Sequence, residues 1–195
     1  MAEFLLELFS EEIPANLQSS ARTNLLTSFK RFFEKENIIY KDDGKVFSTP
    51  NRLVLCFKKI EREIHQKSGE IRGPNTKAPD IAVEGFLKSN LIQKKDIYKK
   101  NTDKGEFFFY KKPSRKIKSE DVLKTSIPSI LENLSWKKSM KWGEHDLYWG
   151  RPLKSILAIF DGKPLKFKFH HLSSSNVTYI DKDFEDKTKI FKNIN

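Results

Sequence analysis

The sequence predicts an α+β fold: mixed or antiparallel sheets with helices packed on one face, in one or two modules. Three observations carry that prediction. The run EFLLELF at 3–9 is too apolar and too short for an amphipathic helix and reads as a central strand. Leu17, Ala21, Leu25, Phe29 and Phe32 then recur at spacings of three or four, one apolar face of a helix reaching about Asn37. After KDDGK at 41–45, a turn signal, KVFSTPNRLVLCFKKI reads as two strands broken at Thr49-Pro50, because proline cannot donate to a ladder.

The remaining elements follow in order. EREIHQKSGEIRGP continues extended and ends at Gly73-Pro74, where a module boundary is expected. Residues 1–72 then form a strand-helix-strand-strand module and 73–195 a second α+β module. Residues 78–90 read as a short helix with Ile81, Val83, Phe86 and Leu87 as candidate buried positions. Asp103–Gly105 is a turn into a strand, EFFFYKK. Ser119-Glu120-Asp121 opens a second long helix to about Leu134; its acidic first turn and Lys137-Lys138 beyond its end match the helix dipole. Pro128 interrupts this helix. DLYWGRP, SILAIFDGKPLKFKF and NVTYI read as strands, with Asp161-Gly162 as a hairpin turn. The final DKDFEDKTKIFKNIN reads as the start of a charged helix near Asp183 with only Phe184, Ile190 and Phe191 to bury. The chain is therefore expected to be the front part of something longer.

Bulk properties bound the function. The 195 residues are 37% hydrophobic, and 16 phenylalanines supply the main core filler. No run approaches the ~18 apolar residues of a membrane helix. Glu3 and Glu7 make the N-terminus acidic, unlike a signal peptide. A single cysteine, Cys56, excludes an internal disulfide framework, and a cytoplasmic protein is expected. The net charge of +11 points to an anionic partner, nucleic acid being the usual one. Lysine outnumbers arginine 30 to 7, however, a composition also produced by AT-rich coding sequence.

Little on the chain suggests catalysis. Glu11 and Glu12 are adjacent, whereas acid/base carboxylates must flank a scissile bond. With Pro14 suited to a first helical turn, they read as a helix entrance. Cys56 sits in the apolar run LVLCFK, the setting of an inert thiol. His65, His145, His170 and His171 show no zinc spacing, so no metal site is expected. Neither GxxxxGK[ST] nor GxGxxG occurs. No catalytic residue is assigned.

The stretch WKKSMKWGEHDLYWGRP, 136–152, is different. Trp136, Trp142, Trp149 and Tyr148 interleave with Lys137, Lys138, Lys141 and Arg151. Aromatic faces among cations suit single-stranded RNA; equally, large aromatics anchor a core or a subunit interface with lysines on its rim. Arg52 and Arg72 stand beside rigid turns in STPNRL and IRGPN, as phosphate contacts or as partners of Glu11 or Glu12. The candidate RNA- or partner-binding set is Arg52, Arg72, Lys137, Lys138, Lys141, Trp142 and Arg151.

LLELFSEEIP, STPNRLVL, RGP, KGEFFFY and SMKWGEHDLYWGRPLKSILAIFDGKPLKF occur in this order, and over residues 4–169 the chain resembles the N-terminal part of the bacterial glycyl-tRNA synthetase beta subunit. The family's Thr-Glu-Glu-Leu-Pro-like signature stands as Ser10–Pro14, its Pro-Arg-Arg-Leu as Pro50-Asn51-Arg52-Leu53, and its Met-Arg-Trp-Gly as Met140–Gly143, followed by Arg151-Pro152. Two departures are visible: Asn51 replaces one arginine, and HHLSSSNVTYIDKDF stands where the family has Gly-His-Arg-Phe. The resemblance implies a non-catalytic region supporting tRNA(Gly) binding and subunit assembly. It implies that ATP and Mg2+ are used on the alpha subunit, with no cofactor on this chain. The implied partners are the alpha subunit and tRNA(Gly), with no membrane. The rival readings are a carboxylate enzyme using Glu11 and Glu12 with Arg52 as a charge clamp, and a free-standing RNA- or protein-interaction module.

Overall fold

The computed structural model describes residues 1–66, 68–144, 146–180 and 188–192. They divide into two compact units, one of Met1–Ile64 with Ile117–Asn195 and one of His65–Lys116. The second unit interrupts the first. The boundary expected at Gly73-Pro74 instead falls inside a strand, because the extended chain continues through both residues to Asn75.

The first unit is built on β1 (Ala2–Ser10), α1 (Ala15–Glu36), β2 (Lys45–Thr49) and β3 (Arg52–Ile60). The chain leaves through β4 (Glu63–Gln66) into the second unit, whose elements are β5 (Gly69–Asn75), α2 (Asp80–Asn90), β6 (Ile97–Thr102) and β7 (Gly105–Lys112). It returns through β8 (Arg115–Lys118), the partner of β4, into α3 (Ser119–Glu132), β9 (Leu153–Phe160), β10 (Lys163–Pro164), β11 (Lys168–Phe169), β12 (Leu172–Ser175), β13 (Val177–Tyr179) and β14 (Thr188–Ile190).

Among the described residues the main sheet has the order β11-β12-β9-β1-β3-β2, with β10 also on β9; β1 is central, as its apolar run requires. Its pairings are antiparallel except β12 on β9. Alternation along β1 sends Phe4, Leu6 and Leu8 to one face. There they join Leu25, Phe29 and Phe33 of α1 and Leu123, Ile127 and Leu131 of α3 in one buried cluster. Phe33 is fully buried and meets Phe57 edge-on at 5.0 Å between ring centres; complete burial of such a ring contributes about 1.5–3 kcal/mol. Helix α1 stops at Asn37, which takes a left-handed conformation (φ 57°) while its N–H and that of Ile38 return to Glu34 and Phe33.

Three local expectations change. Pro14 precedes α1 as its cap residue instead of entering the first turn. DLYWGRP is no strand: Trp149 makes an isolated bridge with Met140, and the sheet strand begins at Leu153. The start of the charged helix expected near Asp183 lies outside the described residues, but Thr188–Ile190 is strand, paired antiparallel with β13. Ile190 stands in that ladder opposite Val177. In the second unit a separate sheet, β5-β7-β6, includes β6, IYKKNT, whose polar residues hid it; it pairs with the aromatic β7.

Candidate nucleic-acid and partner interface

The segments singled out in the sequence converge at the C-terminal end of β1. The two-residue loop Pro50-Asn51 closes the β2–β3 hairpin. Its carbonyls receive the chain that leaves β1: Ser10 N–H donates to Asn51 O at 2.9 Å and Ile13 N–H to Pro50 O at 2.6 Å. The Asn51 amide donates back to Ser10 O at 3.2 Å. Glu11 N–H donates to Pro152 O at 2.9 Å, and Arg151 Nε to Glu12 O at 3.2 Å. Ser10–Pro14, Pro50-Asn51 and Arg151-Pro152 therefore lock one another through backbone groups that would otherwise need water.

This arrangement answers what the two carboxylates do. Glu11 pairs with Lys154 at 2.7 Å. The Glu12 side chain is exposed, and the group used by Arg151 is its carbonyl. Neither side chain faces the other across a cleft, and Arg52 approaches neither.

Arg52 instead turns to the sheet face opposite the helices. Its Nε lies 3.4 Å from Glu7 Oε2, its guanidinium sits 4.8 Å from the centre of the Phe9 ring, and it donates to the Tyr179 carbonyl. The Thr178 hydroxyl donates to the other Glu7 oxygen. Burial raises the Glu7 pKa; the Thr178 bond and the Arg52 charge oppose the rise without cancelling it. A cavity of about 220 Å³ beside this pair is lined by Leu5, Glu7, Phe47, Val54, Cys56, Leu157 and Phe191. Burial pushes the Cys56 thiol up as well, so it stays protonated. Sequence reasoning missed this role of Glu7; the available signal was a carboxylate set inside the apolar run LLELF of β1.

The loop 136–152 places its tryptophans by different rules. Trp149 is buried, and Trp136 packs on it at 5.1 Å between ring centres. Gly150 is required by this packing, since a Cβ there would lie 2.3 Å from the Trp136 ring. Trp142 is partly buried against the core and meets His171 edge-on at 6.1 Å. Lys137 and Lys138 are exposed on the loop so anchored. Lys141 pairs with Asp146 at 2.7 Å and lies 5.4 Å from the Tyr148 ring, and that pair raises the lysine pKa and lowers the aspartate's. Arg151 reaches Gly150 O and Met140 Sδ besides Glu12 O. His145 lies outside the described residues. Of the seven sequence-selected residues, Lys137, Lys138, Lys141, Trp142 and Arg151 share this loop. Arg52 sits on β3 behind Glu7, and Arg72 belongs to the other unit.

In that other unit Arg72 stacks 3.7 Å above the Phe107 ring, and Tyr98 lies flat on Phe109. Sequence reasoning named Arg72 but missed the aromatic sheet face beneath it, because β6 carries no apolar alternation to reveal the pairing.

A family model described as glycyl-tRNA synthetase beta subunit matches residues 4–194, extending past residue 169 into the divergent segment. A glycine–tRNA ligase beta subunit of Rickettsia typhi is 41% identical over 179 residues, 92% of this chain and 27% of that protein. The Rickettsia prowazekii protein of the same name is 39% identical with the same coverage. That of Rickettsia bellii is 38% identical over 204 residues, 99% of this chain and 31% of its own. The chain thus spans roughly three tenths of the length of these relatives. It belongs to the glycyl-tRNA synthetase beta subunit family.

Proposed function

We propose that this chain forms the region of a glycine–tRNA ligase beta subunit that supports tRNA(Gly) binding and subunit assembly in the cytoplasm. In this reading ATP-dependent activation of glycine, with Mg2+, is carried out on the alpha subunit. The observation that carries the reading is the loop 136–152: exposed Lys137 and Lys138 stand on a segment pinned by the buried Trp149 and its neighbour Trp136. Cations on a fixed support lose less conformational entropy on meeting phosphates than cations on a loose tail. The positions of Glu11, Glu12 and Arg52 favour a scaffold over a carboxylate enzyme, since Glu11 pairs with Lys154, Arg52 with Glu7, and the Glu12 side chain is exposed while its carbonyl accepts from Arg151.

The test is a pull-down of purified alpha subunit by this chain, with and without tRNA(Gly). Retention of the alpha subunit supports assembly, and retention of tRNA lost on combining Lys137→Gln with Lys138→Gln supports the loop as its contact. Capture of neither partner would overturn the proposal.

A further inference from the structure

The chain's basic excess is concentrated. His65–Lys116 contains thirteen Lys/Arg and six Asp/Glu, a net +7 within the chain's +11. Uniform compositional bias would not place most of the excess in about a quarter of the sequence. Within this unit β7 is the middle strand of the order β5-β7-β6. Its register sets Arg72 and Tyr98 opposite Phe109 on either side, Lys100 opposite Phe107, and Glu70 opposite Lys111. Directly opposed residues point to the same face, so this face carries Arg72, Lys100 and Lys111 over a floor of Phe107 and Phe109.

The face is open and ordered by its own contacts. Arg72, Tyr98, Lys100 and Lys111 are exposed, Tyr98 by 37%, whereas Phe109 beneath is buried. The Tyr98 ring lies within 29° of parallel to Phe109, and its hydroxyl donates to Glu70 Oε1 at 2.6 Å. Lys100 donates to the other Glu70 oxygen at 2.6 Å and stands 5.4 Å from the Phe109 ring. The Arg72 guanidinium lies on Phe107, which fixes its plane and leaves its other side outward. Against three cations there is one carboxylate, Glu70, held ionised by its two bonds.

We propose that this face of β5-β7-β6 is a docking platform for a single-stranded segment of RNA. A base stacks on the outer side of Tyr98, and phosphates pair with Arg72 and Lys111. The inference rests on the tRNA-binding reading above and assigns it a second, separate surface. Stacking selects RNA over an acidic polypeptide, because a base offers a flat face to a flat ring and a carboxylate chain does not.

The experiment measures binding of the whole chain to a fluorescein-labelled oligouridylate and, separately, to tRNA(Gly), with labelled polyglutamate as the protein-like probe. Tyr98→Ala is expected to weaken oligouridylate binding about tenfold, within the range for one stacked base. Tyr98→Phe keeps the ring and is expected to restore affinity to within about twofold. Joint Arg72→Gln and Lys111→Gln is expected to flatten the slope of log K against log salt by about 1.4, two phosphates on a single strand. Circular dichroism on each variant separates these effects from unfolding. Unchanged oligouridylate affinity in a folded Tyr98→Ala overturns the platform, as does tighter binding of polyglutamate than of RNA. If tRNA binding responds only to Lys137→Gln with Lys138→Gln, the platform fails and the loop reading stands. If no variant or wild-type chain binds tRNA, both fail.

Discussion

Arg52 Nε and Glu7 Oε2 lie 3.4 Å apart on the sheet face opposite the helices, joining the residue after a hairpin loop to the middle of the central strand. The pair is only slightly exposed, and burial outweighs the arginine in setting the Glu7 pKa, which is raised. The sign follows directly. Below the ordinary glutamate value the carboxyl is protonated in both folded and unfolded states. Between that value and the higher folded one, the folded state binds more protons, so this residue's contribution to stability falls as pH rises. Glu7→Gln stays neutral throughout. Its melting temperature relative to wild type should therefore climb as pH is raised from about 4 to 8; a difference that is flat, or that moves the other way, would show Arg52 to be the stronger influence.

Asp161 gives the opposite sign. Arg62 holds it through two bonds of 2.6 Å, and these lower the aspartate pKa. That contribution is present above the ordinary aspartate value and disappears as pH falls through the folded one. Asp161→Asn should tolerate the left-handed backbone there (φ 51°), as asparagine commonly does. Thermal melts from pH 7 to pH 2 should show the variant below wild type at neutral pH and the gap closing in acid.

Gly150→Ala tests the anchoring of the loop. The added Cβ would meet the Trp136 ring at 2.3 Å. Overpacking of this kind costs about 1–3 kcal/mol, and in a chain of this size each kcal/mol lowers the melting point by about 2–4 °C. If Lys137 and Lys138 act from a fixed support, tRNA affinity should fall with it. A melting point within 1 °C of wild type, measured by calorimetry, would mean the tryptophan moves aside freely.

Glu12→Gln and Arg151→Ala separate architecture from chemistry at the β1 exit. Glu12 presents its carbonyl to Arg151 and its side chain to solvent. Its substitution should leave stability within about 0.5 kcal/mol, as for most surface changes. Arg151→Ala removes the bonds to Glu12 O and Gly150 O and should cost about 1–2 kcal/mol in denaturant unfolding. Loss of glycylation by the assembled enzyme in Glu12→Gln, with unfolding unchanged, would revive the carboxylate-enzyme reading.

The first unit was legible where periodicity was strong. The run at 3–9 could only be a buried strand, and the spacing from Leu17 to Phe32 could only be one helix face, so β1, α1 and the hairpin broken at Pro50 follow from residue pattern alone. Long-range pairing was not legible. Nothing local to Glu11 shows that its N–H meets Pro152, and nothing local to Arg52 selects Glu7 over Glu11. The unit boundary was missed for the same reason: Gly73-Pro74 looks like a stop, yet the strand passes through it, while β4 and β8, which carry the chain out and back, are short polar strands (EIHQ and RKIK) whose pairing is far apart in sequence. Ile81 shows the limit of helical spacing in a short helix. The sequence offers it as a buried position with Val83, but only Val83 is buried and Ile81 is exposed by 82%.

The most direct test of the account is the affinity of this chain for tRNA(Gly) measured across salt concentration. A phosphate-gripping region predicts that log K falls linearly with log salt, and that joint Lys137→Gln and Lys138→Gln shallows the slope by about 1.4–1.8. Affinity that ignores salt, or a slope untouched by those substitutions and by Arg72→Gln with Lys111→Gln alike, would contradict it.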